Sequence, residues 1–133
     1  MQSFAKAPTE PCLWWRGAWW SRGALDEMVM ECEDSLLKSG FSRGHRLGLV
    51  LPNSPILLAS CIAAWRLGGA VVPVNPYLKY PSLPEYLKSV DVFGAIVSRE
   101  IEGLVDFIGG AGIPVASAAL GDASPALVGR EAV

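Results

Sequence analysis

Hydrophobic positions in this chain gather into short runs at regular intervals, and the clearest alternation lies near its centre. Residues 46–51 form a brief apolar run of strand length, broken by Pro52. Asn53 or Ser54 then offers a side-chain oxygen to the free N–H groups of a helix start, and Pro55 suits a first helical position, where no N–H is needed. From residue 56 to residue 67 only Ser60 and Arg66 are polar, so the predicted helix has no broad wet face and should be largely enclosed by protein. Gly68-Gly69 ends it, because glycine enters the left-handed conformation without a β-carbon clash. Val71-Val72-Pro73-Val74 follows as a second strand, with Pro73 near its end or on an unpaired side. Two apolar strands joined by a helix fit a parallel crossover.

The flanking segments extend this alternation. Leu13-Trp14-Trp15-Arg16-Gly17-Ala18-Trp19-Trp20 reads as two short aromatic strands around an Arg-Gly turn. Its tryptophans fit either a stacking platform for a flat ligand or a hairpin packed on a neighbouring body, and the second is the commoner use of such rings. Ser21 is placed to cap a helix in which Leu25, Met28, Val29, Cys32 and Leu36 recur at three- and four-residue steps. Asp26, Glu27, Glu31, Glu33 and Asp34 populate its other face, which reads as solvated, and Gly40 closes it. Residues 77–81 read as a loop, and Ser82-Leu83-Pro84-Glu85 has capping-box spacing ahead of a short helix to about Ser89. Residues 92–97 make a third strand. Ser98 is expected to cap a helix with Ile101, Leu104, Val105 and Ile108 on one side, ended by Gly109-Gly110-Ala111-Gly112. Residues 113–119 make a fourth strand, and residues 121–133 are small, polar and without periodicity. Elements in this order predict an α/β fold: an open, mainly parallel sheet with helices on both faces, a Rossmann-like three-layer subdomain, preceded by a small N-terminal hairpin.

Composition narrows the function classes. A length of 133 residues allows one domain with a real core, and 51% hydrophobic against 18% charged residues mark a globular chain. A net charge of −2 gives no electrostatic reason to bind nucleic acid or an anionic membrane. The stretch 56–65 falls short of the roughly 20 residues that cross a bilayer, so no membrane span is expected. The first residues carry Lys6, Glu10 and prolines rather than a charged start and an apolar run, unlike a signal peptide. Cys12, Cys32 and Cys61 are odd in number and lack metal-ligand spacing, which fits reduced thiols in a cytoplasmic protein.

Candidate chemistry is sparse. His45 is the single histidine and stands in a turn without a sequence partner that would make it a base or a ligand. The acidic residues of the first helix belong to its wet surface rather than to a metal site. The glycines at 109–112 follow a helix and open a strand, whereas a phosphate-binding loop follows a strand and opens a helix. There is no Ser–His–Asp spacing, no cysteine paired with a histidine and no Walker loop. No catalytic, cofactor-binding or metal-binding residue can be named from these patterns.

The motif Leu49-Val50-Leu51-Pro52-Asn53-Ser54-Pro55, followed by Trp65-Arg66-Leu67-Gly68-Gly69-Ala70-Val71-Val72-Pro73-Val74-Asn75-Pro76, resembles the early region of the adenylate-forming, AMP-binding enzymes: the acyl-CoA synthetases and related ligases. In that family an "lPNsp" turn precedes a helix that ends in "a-G-a-vvPlnP". The Asn75-Pro76 ending is similar to the acyl- and aryl-CoA ligase branch rather than to peptide-synthetase adenylation domains. The resemblance runs from about Trp14 to about Ala119. It departs at Arg22 and Ala24, where the family prefers tyrosine and glutamate, and at His45, where it usually has the aspartate of a "G-D-x-V" turn.

This resemblance implies a tail at residues 1–12, an N-terminal α/β subdomain of an adenylate-forming ligase at 13–120, and a linker or truncated tail at 121–133. It implies a parent enzyme that activates a carboxylic acid with ATP as an acyl-adenylate and passes the acyl group to a thiol, in settings such as fatty acid metabolism. ATP, magnesium and CoA or a phosphopantetheine carrier are implied for that parent, and no cofactor for this piece alone. The family's loop ending in Pro-Lys-Gly, its ribose- and magnesium-binding acids and its mobile-domain lysine have no counterpart here, so no site residue carries over. The expected partner is the remainder of the parent ligase, and the isolated chain is expected to fold without catalysing. A stand-alone nucleotide- or ligand-binding module, and the partner-binding half of a split ligase, are the alternatives.

Overall fold

The computed structural model describes residues 11–77, 82–118 and 127–128. Residues 1–10 of the tail expected at 1–12, the loop tip at 78–81, the Cys12 side chain and most of 121–133 lie outside the described residues. A hairpin comes first, β1 (Pro11–Trp15) and β2 (Ala18–Ser21), paired antiparallel with Trp14 opposite Trp19. Its turn residues Arg16 and Gly17 both have positive φ, 49° and 80°. Left-handed backbone at both central positions is the type I′ turn, whose twist matches that of the flanking strands. The period-2 alternation then splits the tryptophans. Trp15 and Trp20 pack against the core, while Trp14 and Trp19 meet edge-on at 5.3 Å and stay exposed. Packing onto the body therefore accounts for half of the aromatic cluster.

Ser21 starts α1 (Arg22–Lys38): its backbone is extended and its hydroxyl accepts the Ala24 N–H at 3.1 Å. The buried residues of α1 are Leu25, Met28, Val29, Cys32 and Leu36, the set that the sequence spacing selects. Gly40, at φ +93°, turns the chain out of the helix. β3 (Arg46–Val50) leads through Pro52 to α2 (Pro55–Arg66). Ser54 caps α2, accepting the Leu57 N–H at 3.3 Å and donating to the Pro52 carbonyl at 2.9 Å. α2 is mostly enclosed, although Trp65 is exposed near its end. Gly68 then takes φ +83°, and Gly69 passes so close to the core that a β-carbon there would lie 2.4 Å from the Phe41 ring. Neither position tolerates an ordinary side chain, for two different reasons.

Five strands form the main sheet in the order β4-β3-β5-β6-β7. β4 (Ala70–Val74), β3, β5 (Gly94–Ser98) and β6 (Val115–Ala118) run parallel, and β7 (Leu127–Val128) pairs antiparallel with β6. Pro73 is tolerated because β4 is an edge strand, so its missing N–H interrupts no second ladder. β7 was not expected; it brings strand pairing into the stretch 121–133, where no periodicity marks it.

Alternation along the strands divides the core in two. Leu47, Leu49, Ile96, Ala116 and Ala118 point to one face, beneath α1 and α2. Val50, Val74, Ala95 and Val97 point to the other, beneath α3 (Leu83–Ser89) and α4 (Leu104–Gly109). Three layers result, as the sequence predicts. Two helix starts on the second face differ from expectation. The capping box at Ser82 does not form: Ser82 has φ −105° and ψ 27°, not the extended backbone that aims a hydroxyl at the helix N–H groups, and Pro84 removes one of the donors. Ser98 caps no helix. It ends β5, its hydroxyl accepts the Glu100 N–H at 3.2 Å, and α4 starts only after Gly103 at φ +78°.

Candidate functional site

In an open α/β sheet, the ligand crevice lies outside the carboxyl ends of the strands, where successive crossovers depart to opposite faces. Here β3 feeds α2 on the first face, while its neighbour β5 feeds α4 on the second. The switch point is therefore the crest between Val50 and Ser98. It is formed by Leu51, Pro52, Asn53 and Ser54 after β3 and by Arg99 and Glu100 after β5.

Several polar groups at this crest are already engaged. Ser54 is committed to its helix cap and Ser98, fully buried, to its own turn. The Arg99 N–H bonds the Ala118 carbonyl at 2.9 Å. The hairpin covers part of what remains: the Trp15 indole N–H donates to the Asn53 carbonyl at 3.0 Å, and the Arg16 guanidinium lies 3.3 Å from Glu100 Oε1 and 4.3 Å over the Trp15 ring. Residues separated by 38 and 84 positions in the chain meet here. The place where a doubly wound sheet usually receives a ligand is thus closed by the chain's own hairpin.

A nucleotide phosphate finds no cradle in the described residues. The N-terminus of α2 has Pro55, without an N–H, in its first turn and the Ser54 hydroxyl on the Leu57 N–H. The glycines at 109–112 end α4 and lead to β6, and a β-carbon on Gly109 would touch Val115 at 3.0 Å. That turn serves helix-to-strand packing and does not present amide groups to a phosphate. Among the described residues, no three His, Cys, Asp or Glu side chains come together as a metal site.

Several of the other residues singled out from the sequence have structural partners. His45 Nδ1 accepts the Ser42 N–H at 3.0 Å, and its ring stacks on Phe93 at 4.7 Å. It is a turn residue fixed by an aromatic neighbour. Burial pushes the Cys32 thiol from its ordinary 9.0 up to about 12, partly opposed by a hydrogen bond with Ser60; Glu31 and Glu33 push it further up. Burial also raises Cys61. A reactive cysteine needs a stabilised thiolate, which both environments disfavour. The acidic face of α1 is not simply solvated: Arg66 of α2 lies 3.9 Å from Asp26 and 3.3 Å from Glu33, and Lys38 pairs with Asp34 at 2.9 Å. Sequence spacing missed these cross-helix pairs, since only the fold brings residue 66 beside residues 26 and 33.

A doubly wound sheet with an N-terminal hairpin over its switch point places the chain in the three-layer α/β class. Comparisons with known proteins agree. A family model described as AMP-binding enzyme matches residues 2–121, and the chain belongs to that family, as an N-terminal region of its adenylate-forming ligases. No match to a curated protein was found. Among solved structures, the chain is similar to the anthranilate CoA ligase AuaEII in complex with anthranoyl-AMP, at 20% identity and a TM-score of 0.74. That alignment covers 87% of this chain and 23% of the ligase. The O-succinylbenzoate CoA synthetase MenE from Bacillus subtilis, in complex with ATP and magnesium, matches at 14% identity and a TM-score of 0.74, over 87% of this chain and 31% of that one. The N-terminal domain of FACL13 from Mycobacterium tuberculosis matches at 24% identity and a TM-score of 0.62, over 69% of this chain and 24% of that one. At such identities these likenesses show the fold. The chain spans between 23% and 31% of the length of these three relatives. No helix among the described residues is long and apolar enough to cross a membrane.

Proposed function

We propose that this chain is a scaffold piece, spanning about residues 13–120, of an ATP-dependent acid–thiol ligase of the acyl- or aryl-CoA type, and that it does not catalyse by itself. The parent reaction is activation of a carboxylic acid as its acyl-adenylate, with transfer to the thiol of CoA or of a carrier protein. ATP and magnesium act in that parent, and the partner of this chain is the remainder of the ligase, in the cytoplasm. The observation that carries this reading is the family match over residues 2–121, together with a switch-point crest where Ser54, Ser98, Glu100 and the Asn53 carbonyl are bonded within the chain. Carboxylate activation needs groups aimed at the phosphoryl oxygens and at the charge developing in the transition state. Arg99 is exposed at the hairpin-covered crest, but no phosphate-cradling loop joins it among the described residues.

ATP–pyrophosphate exchange over a panel of aliphatic and aromatic carboxylic acids tests the proposal. The 133-residue chain should show no acid-dependent exchange, and the product of the complete reading frame should show it with at least one acid. Exchange by the short chain alone would contradict the scaffold role. Its absence in the complete product would contradict the ligase reading.

A further inference from the structure

α1 has two flanks, and only one is filled. Toward α2, Arg66 reaches Asp26 and Glu33; the exposed Asp34 and Lys38 pair with each other within α1. On the opposite flank Ala24, Glu27, Met28 and Glu31 recur at three- and four-residue steps, which places them in one row. With Trp19 and Trp20 of β2 they line an open groove of about 290 Å3. Glu27 and Glu31 are exposed, lie one turn apart and pair with no cation among the described residues. Trp19 beside them is 63% exposed. Of the five carboxylates on this helix, the two without an ion pair are the two that face the aromatic wall.

We propose that this groove docks an arginine-bearing segment of a partner protein. A guanidinium suits it twice over: its plane stacks on an indole, and its forked donors match paired carboxylates better than an ammonium does. The chain builds both halves of this contact elsewhere. Arg16 lies over the Trp15 ring and beside Glu100, and Arg66 lies between two carboxylates of this same helix. The groove is shallow, open, and at the lower limit of the ~300–1,000 Å3 pockets that enclose small ligands. It therefore fits one side chain presented on a protein surface rather than a free metabolite. The proposal does not depend on the ligase reading.

The test follows the Trp19 indole N–H resonance, assigned with Trp19→Phe, as the 133-residue chain is titrated with a capped tripeptide bearing a central arginine. The resonance should move and saturate. The same peptide with citrulline, which keeps the shape and loses the charge, should bind roughly five- to tenfold more weakly. Glu27→Gln with Glu31→Gln should lose a similar factor at an unchanged melting temperature, since both side chains are exposed. Equal binding of the citrulline peptide, undiminished binding by the double variant, or no shift with the arginine peptide would overturn the proposal. Free arginine binding as tightly as the peptide would also overturn it, by assigning the groove to a small molecule.

Discussion

The two faces of the sheet are built to different standards. The first carries helices of 17 and 12 residues, each started by a serine hydroxyl on a backbone N–H and joined by Arg66 across the gap. The second carries helices of 7 and 6 residues, and neither start has a side-chain cap. Among the described residues, 17 buried residues form the first core cluster and 8 the second. Isolated helices shorter than about 12 residues are marginal in water, so α3 and α4 depend almost wholly on packing, whereas α1 and α2 have local support as well. The difference teaches where stability resides: in the layer of α1 and α2, to which the hairpin is also fastened.

The largest effect should come at the tightest point of the first face. A β-carbon on Gly69 would lie 2.4 Å from the Phe41 ring and 2.9 Å from the His45 carbonyl oxygen. The ring is fully buried and the oxygen is backbone, so neither can yield cheaply. Gly69→Ala should cost about 2–3 kcal/mol in urea unfolding. A loss below about 0.5 kcal/mol would mean that the first face is less tightly packed than described. Amide hydrogen exchange sharpens the contrast directly. Core amides of α1 and α2 should exchange near the global unfolding free energy, and those of α3 and α4 by local opening about 1–3 kcal/mol below it. Uniform protection across both layers would break the comparison.

Cys32 gives the first face a pH signature. Its folded-state pKa is raised from 9.0 to about 12, so above pH 9 the unfolded chain loses this proton while the folded chain keeps it. Stability is fully present below pH 9 and should fall by about 1.4 kcal/mol per pH unit as pH rises toward 12. Cys32→Ala should flatten that part of the stability–pH curve. The smallest effects separate the caps. Ser54→Ala removes an observed hydrogen bond and should cost about 1 kcal/mol, whereas Ser82→Ala removes none and should stay within about 0.3 kcal/mol in the same denaturation experiment.

The same division governs what the sequence discloses. On the first face local chemistry and tertiary outcome agree: Ser21, Ser54, Pro55 and Gly68 each act where short-range rules place them. On the second face they part. Ser82 has the right spacing to Glu85 but the wrong backbone, and Ser98 is taken up by the end of β5, so the helix expected from residue 98 onward begins at Leu104. The layer architecture was nonetheless legible, because strand and helix periods do not depend on caps. The closed crest was not. Trp15 to Asn53 and Arg16 to Glu100 are contacts between distant residues, and no local rule links an aromatic hairpin to the ends of strands that follow it. Arg66 reads in sequence as one polar interruption of an apolar helix, and only the packing of α2 on α1 shows that it joins them.

A thermal melt of the 133-residue chain with and without millimolar MgATP tests the central claim most directly. A ligand that binds the folded state at a hundredfold excess over its Kd stabilises by about 2.7 kcal/mol, a shift of several degrees for a domain of this size. A crest closed by Trp15 and Arg16 predicts an unchanged melting temperature. A saturable rise would show that the chain binds nucleotide unaided, and would contradict its description as a scaffold.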